Sequence, residues 1–176
     1  MFEILYNKKY YVDKNFLTPF QTRSLPEIIY NFDNNIQNKK LYTLIMYNPD
    51  TKHGDYIHWL VVNIKYSIKN GDVLIEYKGP QPPMNTEIHR YIFILFVQNN
   101  IVNINNFKNL NRITNFQDLL NRLQISNNAI SSNYFLSQYQ YGGRKYQTKT
   151  KIKINKTRNK RINTKKYKIK TYKINY

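Results

Sequence analysis

Tyr42-Thr43-Leu44-Ile45-Met46-Tyr47 runs into Asn48-Pro49-Asp50, and His58-Trp59-Leu60-Val61-Val62-Asn63 follows. Gly79-Pro80-Gln81-Pro82-Pro83 comes next, then His89-Arg90-Tyr91-Ile92-Phe93. Tyr42–Tyr47 is β-branched and aromatic, which is strand chemistry, and the Asn-Pro-Asp after it is a turn sequence. The span from His58 to Ile64 is almost continuously apolar, so it reads as a second strand buried on both faces. Asn70-Gly71-Asp72 signals a tight turn, and Val73–Tyr77 alternates as a third strand. Pro80, Pro82 and Pro83 lack backbone donors, so 79–83 is a rigid loop and not a central strand. Tyr91–Gln98 is a fourth strand, again nearly continuous in apolar residues.

Working outward, Leu25-Pro26-Glu27-Ile28-Ile29-Tyr30 has the form of an edge strand entered through a proline, and 31–40 reads as a polar loop. Downstream, Thr114-Asn115-Phe116-Gln117 has the form of a capping box. Phe116, Leu119, Leu120 and Leu123 then fall on one helical face. Asn133–Tyr139 is open between a short second helix and an extended closing segment. Gly142-Gly143 forms a joint. These features divide the chain into a domain over 1–140 and a basic, low-complexity tail over 141–176 that reads as disordered.

The formal net charge is +18, from 28 Lys and Arg against 10 Asp and Glu. From Tyr141 onward there are 14 basic residues and no acidic one, leaving 28 − 14 = 14 basic and 10 acidic residues, a net of +4, in the body. The charge therefore belongs to the tail. There are no cysteines, which excludes disulfides and thiolate metal sites. Met1-Phe2-Glu3-Ile4-Leu5 lacks a basic leader followed by an apolar stretch, and the longest apolar run, Ile92–Val97, is too short to span a bilayer, so the expected location is cytoplasmic. Alanine occurs once, while Asn, Ile, Lys and Tyr abound, a bias matching A/T-rich codons.

If the apolar runs are neighbouring strands, their polar ends converge at one edge of a sheet. Two histidines, a carboxylate, an arginine and tyrosines then rim one small pocket, an arrangement suited to phosphate or another small anion. Two imidazoles facing one cavity are expected to act as two donors. Arg90 is open between an ion pair and a ligand contact, and Asp50 between a turn role and a pocket role. Trp59 reads as core and His53 as solvated. His58, His89 and Asp50 could in principle hold a metal or do acid–base work. No Ser or Cys nucleophile motif accompanies them, however, and the spacing is not that of a helix-borne zinc motif. No catalytic residue, metal or cofactor is expected.

In their order and spacing these segments closely resemble the phosphatidylethanolamine-binding protein family, whose animal members include the Raf kinase inhibitor proteins. The resemblance covers roughly residues 20–140, with Asn115-Phe116 to Asn133-Tyr134-Phe135 similar to the family's C-terminal helix and following segment. It implies a mainly β fold, an antiparallel Greek-key β-sandwich with one or two peripheral helices, and a non-catalytic pocket for phosphate or phospholipid head groups. Carried over by position, the pocket histidines are His58 and His89, the following tyrosine is Tyr91, and Pro82 and Pro83 form the wall. The family's Asp-Pro-Asp reads Asn48-Pro49-Asp50 here, so an amide replaces a pocket carboxylate. Lys52 stands where a proline is usual, and Tyr56 stands two before His58 where tryptophan is frequent. With Asn48 the pocket loses a negative charge, so anion binding is expected to survive and recognition of a cationic head group to weaken.

The tail is a separate candidate. Fourteen cations without an anion suit polyanions, either nucleic acid by counterion release or anionic membrane, and its tyrosines could stack on bases. On this alternative, residues 144–176 carry the function and the pocket is vestigial. Tail and codon bias together suggest a large DNA virus or another A/T-rich genome, with a place in the virion if viral. The sequence names no protein partner.

Overall fold

Residues 2–32, 40–126 and 129–140 are described by the computed structural model. The N-terminal residues, which carry no clear pattern, form a hairpin. β1 (Phe2–Tyr6) and β2 (Tyr10–Tyr11) are antiparallel, and β3 (Glu27–Tyr30) pairs on the other side of β1. Asn7 and Lys8 both adopt positive φ between β1 and β2, the backbone that a tight right-twisted hairpin requires. Periodicity could not reveal two such short strands. β3 lies at an edge, where the proline-led segment was expected.

The apolar runs build the larger sheet. β4 (Leu41–Asn48), β5 (Asp55–Ile64), β6 (Asp72–Ile75), β7 (His89–Gln98), β8 (Ile113–Thr114) and β9 (Ala129–Ser137) lie in the order β6-β5-β4-β7-β9, with β8 on β5. β4, β5 and β6 run as a meander, and β7 returns beside β4, which is the Greek-key connection. The 79–83 segment between β6 and β7 is an irregular loop, as its prolines demand.

Both faces of the large sheet are covered. On one face Leu44, Met46, Trp59, Val61, Tyr91, Phe93 and Leu95 pack with Ile4 and Tyr6 of the small sheet, which makes the sandwich. On the other, Ile45, Ile57, Leu60 and Val62 meet the helix α1 (Phe116–Leu123). Leu119, Leu120 and Leu123 of α1 are buried, each contributing roughly 2 kcal/mol. This double cover explains why β4 and β5 are apolar without alternation.

One expectation needs correction. Thr114 is not the helix cap. It pairs with Asp55 in β8, and Asn115 caps α1 by accepting from Asp118 N at 3.0 Å. The box is displaced by one residue because the β8 pairing holds Thr114 extended. Of the two alternatives for 133–139, the structure takes the extended one, as strand through Ser137. β9 pairs with β7 over its length, and among the described residues α1 is the one α-helix. The far edge of β9 is covered by residues 14–17, with Lys14 N donating to Tyr134 O and Leu17 N to Leu136 O. Among the described residues no helix is long and apolar enough to cross a membrane. The basic tail, the Gly142-Gly143 joint and most of the 31–40 loop fall outside the described residues.

Candidate functional site

β5 carries the irregularity that creates the site. Met46 pairs with Trp59 and Tyr47 with Ile57, so His58 is the extra residue of a β-bulge. A bulge re-aims a side chain without ending the strand. His58 O accepts from Lys78 N at 2.8 Å, and His58 Nδ1 lies 2.6 Å from Lys78 O. A carbonyl can only accept, so Nδ1 carries a proton, and in the neutral ring Nε2 then keeps its lone pair. Burial disfavours the imidazolium. The hydrogen bond to Lys78 opposes that effect and the Arg112 and Lys78 charges add to it, and the pKa is lowered to about 4. His58 is therefore a neutral ring.

His89 and Tyr91 are two residues apart at the start of β7, so they share the sandwich face. Asn48 ends β4 on the same face. Its Oδ1 accepts from Asp50 N at 2.8 Å, which turns Nδ2 toward His89 Nδ1, 3.0 Å away. An amide nitrogen donates, so Nδ1 of His89 accepts and Nε2 carries the proton. That N–H meets Thr86 Oγ1 at 2.9 Å, and the Thr86 hydroxyl donates to Pro83 O at 2.8 Å. The expectation of two donor imidazoles is thus corrected. One ring turns a lone pair outward, and the other closes its N–H on Thr86.

Asp50 accepts from Arg90 N at 2.7 Å and from the Arg90 guanidinium, with the shortest contact 2.5 Å. Burial raises the Asp50 carboxyl, but the Arg90 hydrogen bonds and charge outweigh it and leave the pKa lowered. Arg90 makes the structural ion pair and does not line the cavity. Tyr91 is buried, stacked on Phe135 at 5.2 Å and edge-on to His58 at 5.1 Å. Burial pushes its phenol well up, with a hydrogen bond from Asn48 partly opposing. Trp59 is core, edge-on to Tyr77, and His53 is exposed.

An open cavity of about 860 Å³ gathers these groups. His58, His89, Tyr91, Asn48, Asp50, Pro82, Pro83 and Tyr56 all line it. The proline loop is seated by Gly79, where a Cβ would stand 2.9 Å from Thr22 O, and by Tyr77 Oη donating to Thr22 O at 2.5 Å. Sequence reasoning missed three contributors. Lys78 lies on the wall, its ammonium 5.7 Å from the Tyr56 ring centre, and it clamps the bulge. Thr86 terminates the His89 N–H. Arg112 braces the bulge from outside the cavity, donating to Ile57 O and His58 O at 3.3 Å and to Glu76 O at 2.8 Å. A histidine next to a bulge has no signature in periodicity, so neither do its braces. Met84, Ile88 and Ile113 form an exposed apolar rim. Among the described residues no three His, Asp or Glu side chains gather as a metal site would need.

A family model described as phosphatidylethanolamine-binding protein matches residues 12–135. Among solved structures, the carboxypeptidase Y inhibitor, crystallised with its cognate proteinase, is 24% identical. The match covers 79% of this chain and 83% of that one, with a TM-score of 0.63. A phosphatidylethanolamine-binding protein from Plasmodium vivax is 20% identical over 79% of this chain and 85% of that one, with a TM-score of 0.59. A phosphatidylethanolamine-binding protein from Plasmodium falciparum is 19% identical over 78% of this chain and 84% of that one, with a TM-score of 0.58. At these identities the likeness is one of fold.

Proposed function

The chain belongs to the phosphatidylethanolamine-binding protein family, and from that premise we propose that it is a non-catalytic binding protein whose cavity takes a phosphate group, free or on a phospholipid head. The observation that carries this reading is the convergence of Asn48, His58, His89 and Tyr91, from three strands, on one cavity walled by Pro82 and Pro83. Lys52 and Lys78 on the wall supply positive charge, while the Asp50 carboxylate is neutralised by Arg90. With Asn48 where the family has a carboxylate, an ammonium head group has lost its counter-charge. Phosphate should therefore bind, and ethanolamine phosphate should bind no better. Titration with each, followed by NMR on the His58 and His89 rings and repeated on His89→Ala, tests this. Silence of both rings, or a strong preference for ethanolamine phosphate, overturns the respective half.

The charge of residues 144–176 favours a second, independent reading, in which the tail binds nucleic acid or anionic membrane. Deleting 144–176 should abolish polyanion binding and leave the cavity titration unchanged. Nucleic-acid binding that survives the deletion overturns this division.

A further inference from the structure

The hydrogen bonds around the two imidazoles determine which oxyanion can occupy the cavity. His58 Nδ1 is locked as a donor by Lys78 O at 2.6 Å. Its Nε2 makes no hydrogen bond among the described residues, although His58 is only 4% exposed and lines the cavity. His89 is locked in the opposite sense by the Asp50 N, Asn48, His89 chain, and its N–H ends on Thr86. The polar groups left facing the cavity are therefore the His58 lone pair and, with its ring 5.1 Å from that of His58, the Tyr91 hydroxyl. A bare oxyanion edge would face that lone pair with another. A ligand that brings its own proton would make a hydrogen bond there.

We infer that the cavity selects phosphate monoesters bearing a P–O–H, which donate to His58 Nε2, over phosphodiesters, which have no proton to give. This rests on the phosphate-binding reading above and narrows it to its free or monoester half, since an ethanolamine phospholipid head is a phosphodiester and falls in the disfavoured class. The protonated oxygen meets His58, and the charged oxygens face the Lys78 and Lys52 ammonium groups on the wall. No bond is made or broken. An ammonium group could also donate to Nε2, but the charge around the ring opposes it. The titratable groups about His58 are Tyr56, Tyr91, Lys78 and Arg112. None is a carboxylic acid; of the carboxylates lining the cavity, Asp50 is paired with Arg90 and Glu87 sits at the exposed rim.

Methyl phosphate and dimethyl phosphate separate these cases. At about pH 5, below the second phosphate pKa of about 6, both carry a single negative charge, and they differ in the one proton. The full-length protein is titrated with each, with the His58 and His89 ring resonances as readout so that tail binding does not contribute. Methyl phosphate should bind about tenfold tighter, the scale of one buried hydrogen bond, with His58 Nε2 still unprotonated in the complex. Free ethanolamine, an ammonium donor without phosphate, should leave His58 unmoved. Equal binding of dimethyl phosphate, a protonated Nε2 in the complex, or a His58 response to ethanolamine each overturns the inference and leaves the site reading standing. No response of either ring to any phosphate overturns both.

Discussion

The two ends of the large sheet are built from the same kinds of residue to opposite effect. At the end away from the cavity, Asn63 adopts a left-handed backbone with φ 54° at a second irregularity of β5. Its side chain bonds Val102 N at 2.9 Å, Val102 O at 3.0 Å, Asp72 at 2.7 Å and Gln98 Nε2 at 2.5 Å. Gln98 Oε1 in turn accepts from Asn63 N and Thr43 Oγ1. Every side-chain nitrogen and oxygen of Asn63, Gln98 and Thr43 has a partner. At the cavity end the bulge falls on His58, and one ring nitrogen is left open. A closed network holds a strand end in place, whereas an open one waits for a ligand. The difference lies in whether the hydrogen-bond accounting completes.

The largest expected effect breaks the closed end. Asn63→Ala orphans Val102 N, leaves Gln98 Nε2 with Asn100 O as its remaining acceptor, and puts a Cβ-bearing residue without a compensating side chain at positive φ. It should destabilise the fold by about 4 kcal/mol in urea unfolding, with cavity binding unchanged in the folded fraction. Phosphate affinity that falls in step would mean the two ends are coupled and the contrast is false.

Next comes acid. His58 is lowered to about 4 from 6.5 by burial. Between those values the unfolded chain takes a proton that the folded chain refuses, so stability is full above about pH 6.5 and falls as pH drops through the window. The loss should reach about 3 kcal/mol. His58→Gln should flatten this window. Asp50, lowered from 3.8, loses its contribution only below that value, so the two titrations separate. An unchanged slope in His58→Gln would show that His58 is not the buried neutral base described.

Asn48→Asp should follow in size. A carboxylate accepts, so His89 must turn its proton to Nδ1, which long-range 1H–15N spectra report directly. The added negative charge should weaken methyl phosphate about tenfold, about 1.4 kcal/mol, and favour ethanolamine phosphate relative to it. If His89 Nδ1 stays unprotonated, residue 48 does not set the ring's protonation.

The contrast also shows what the sequence made legible. The sheet was readable because β4, β5 and β7 are apolar on both faces and end in turn chemistry, and α1 because its leucines keep one face. The cavity residues were readable as an ordered set. The open lone pair was not, because it depends on the bulge at His58 and on Lys78 O, a backbone atom without a sequence signature. The N-terminal hairpin was missed because β2 is two residues long. The cap was misplaced because Thr114 answers to Asp55, far away in the chain.

The smallest effect uses one substitution at both ends. Thr43 is buried and donates to Gln98 Oε1 at 2.7 Å. Thr43→Val removes that donor, but Gln98 Oε1 still accepts from Asn63 N, so no acceptor is orphaned and the cost should be about 1 kcal/mol. Thr86 is half-buried, and its hydroxyl takes the His89 N–H. Thr86→Val leaves that N–H facing an open cavity where water can meet it, so stability should change by no more than about 0.5 kcal/mol. The freed donor should tighten methyl phosphate by about threefold, because the ligand then meets an N–H from His89 in addition to the lone pair of His58. Equal destabilisation by the two substitutions would make the Thr86–His89 pair as closed as the Thr43–Gln98 pair, and the contrast between the two ends would fail at His89.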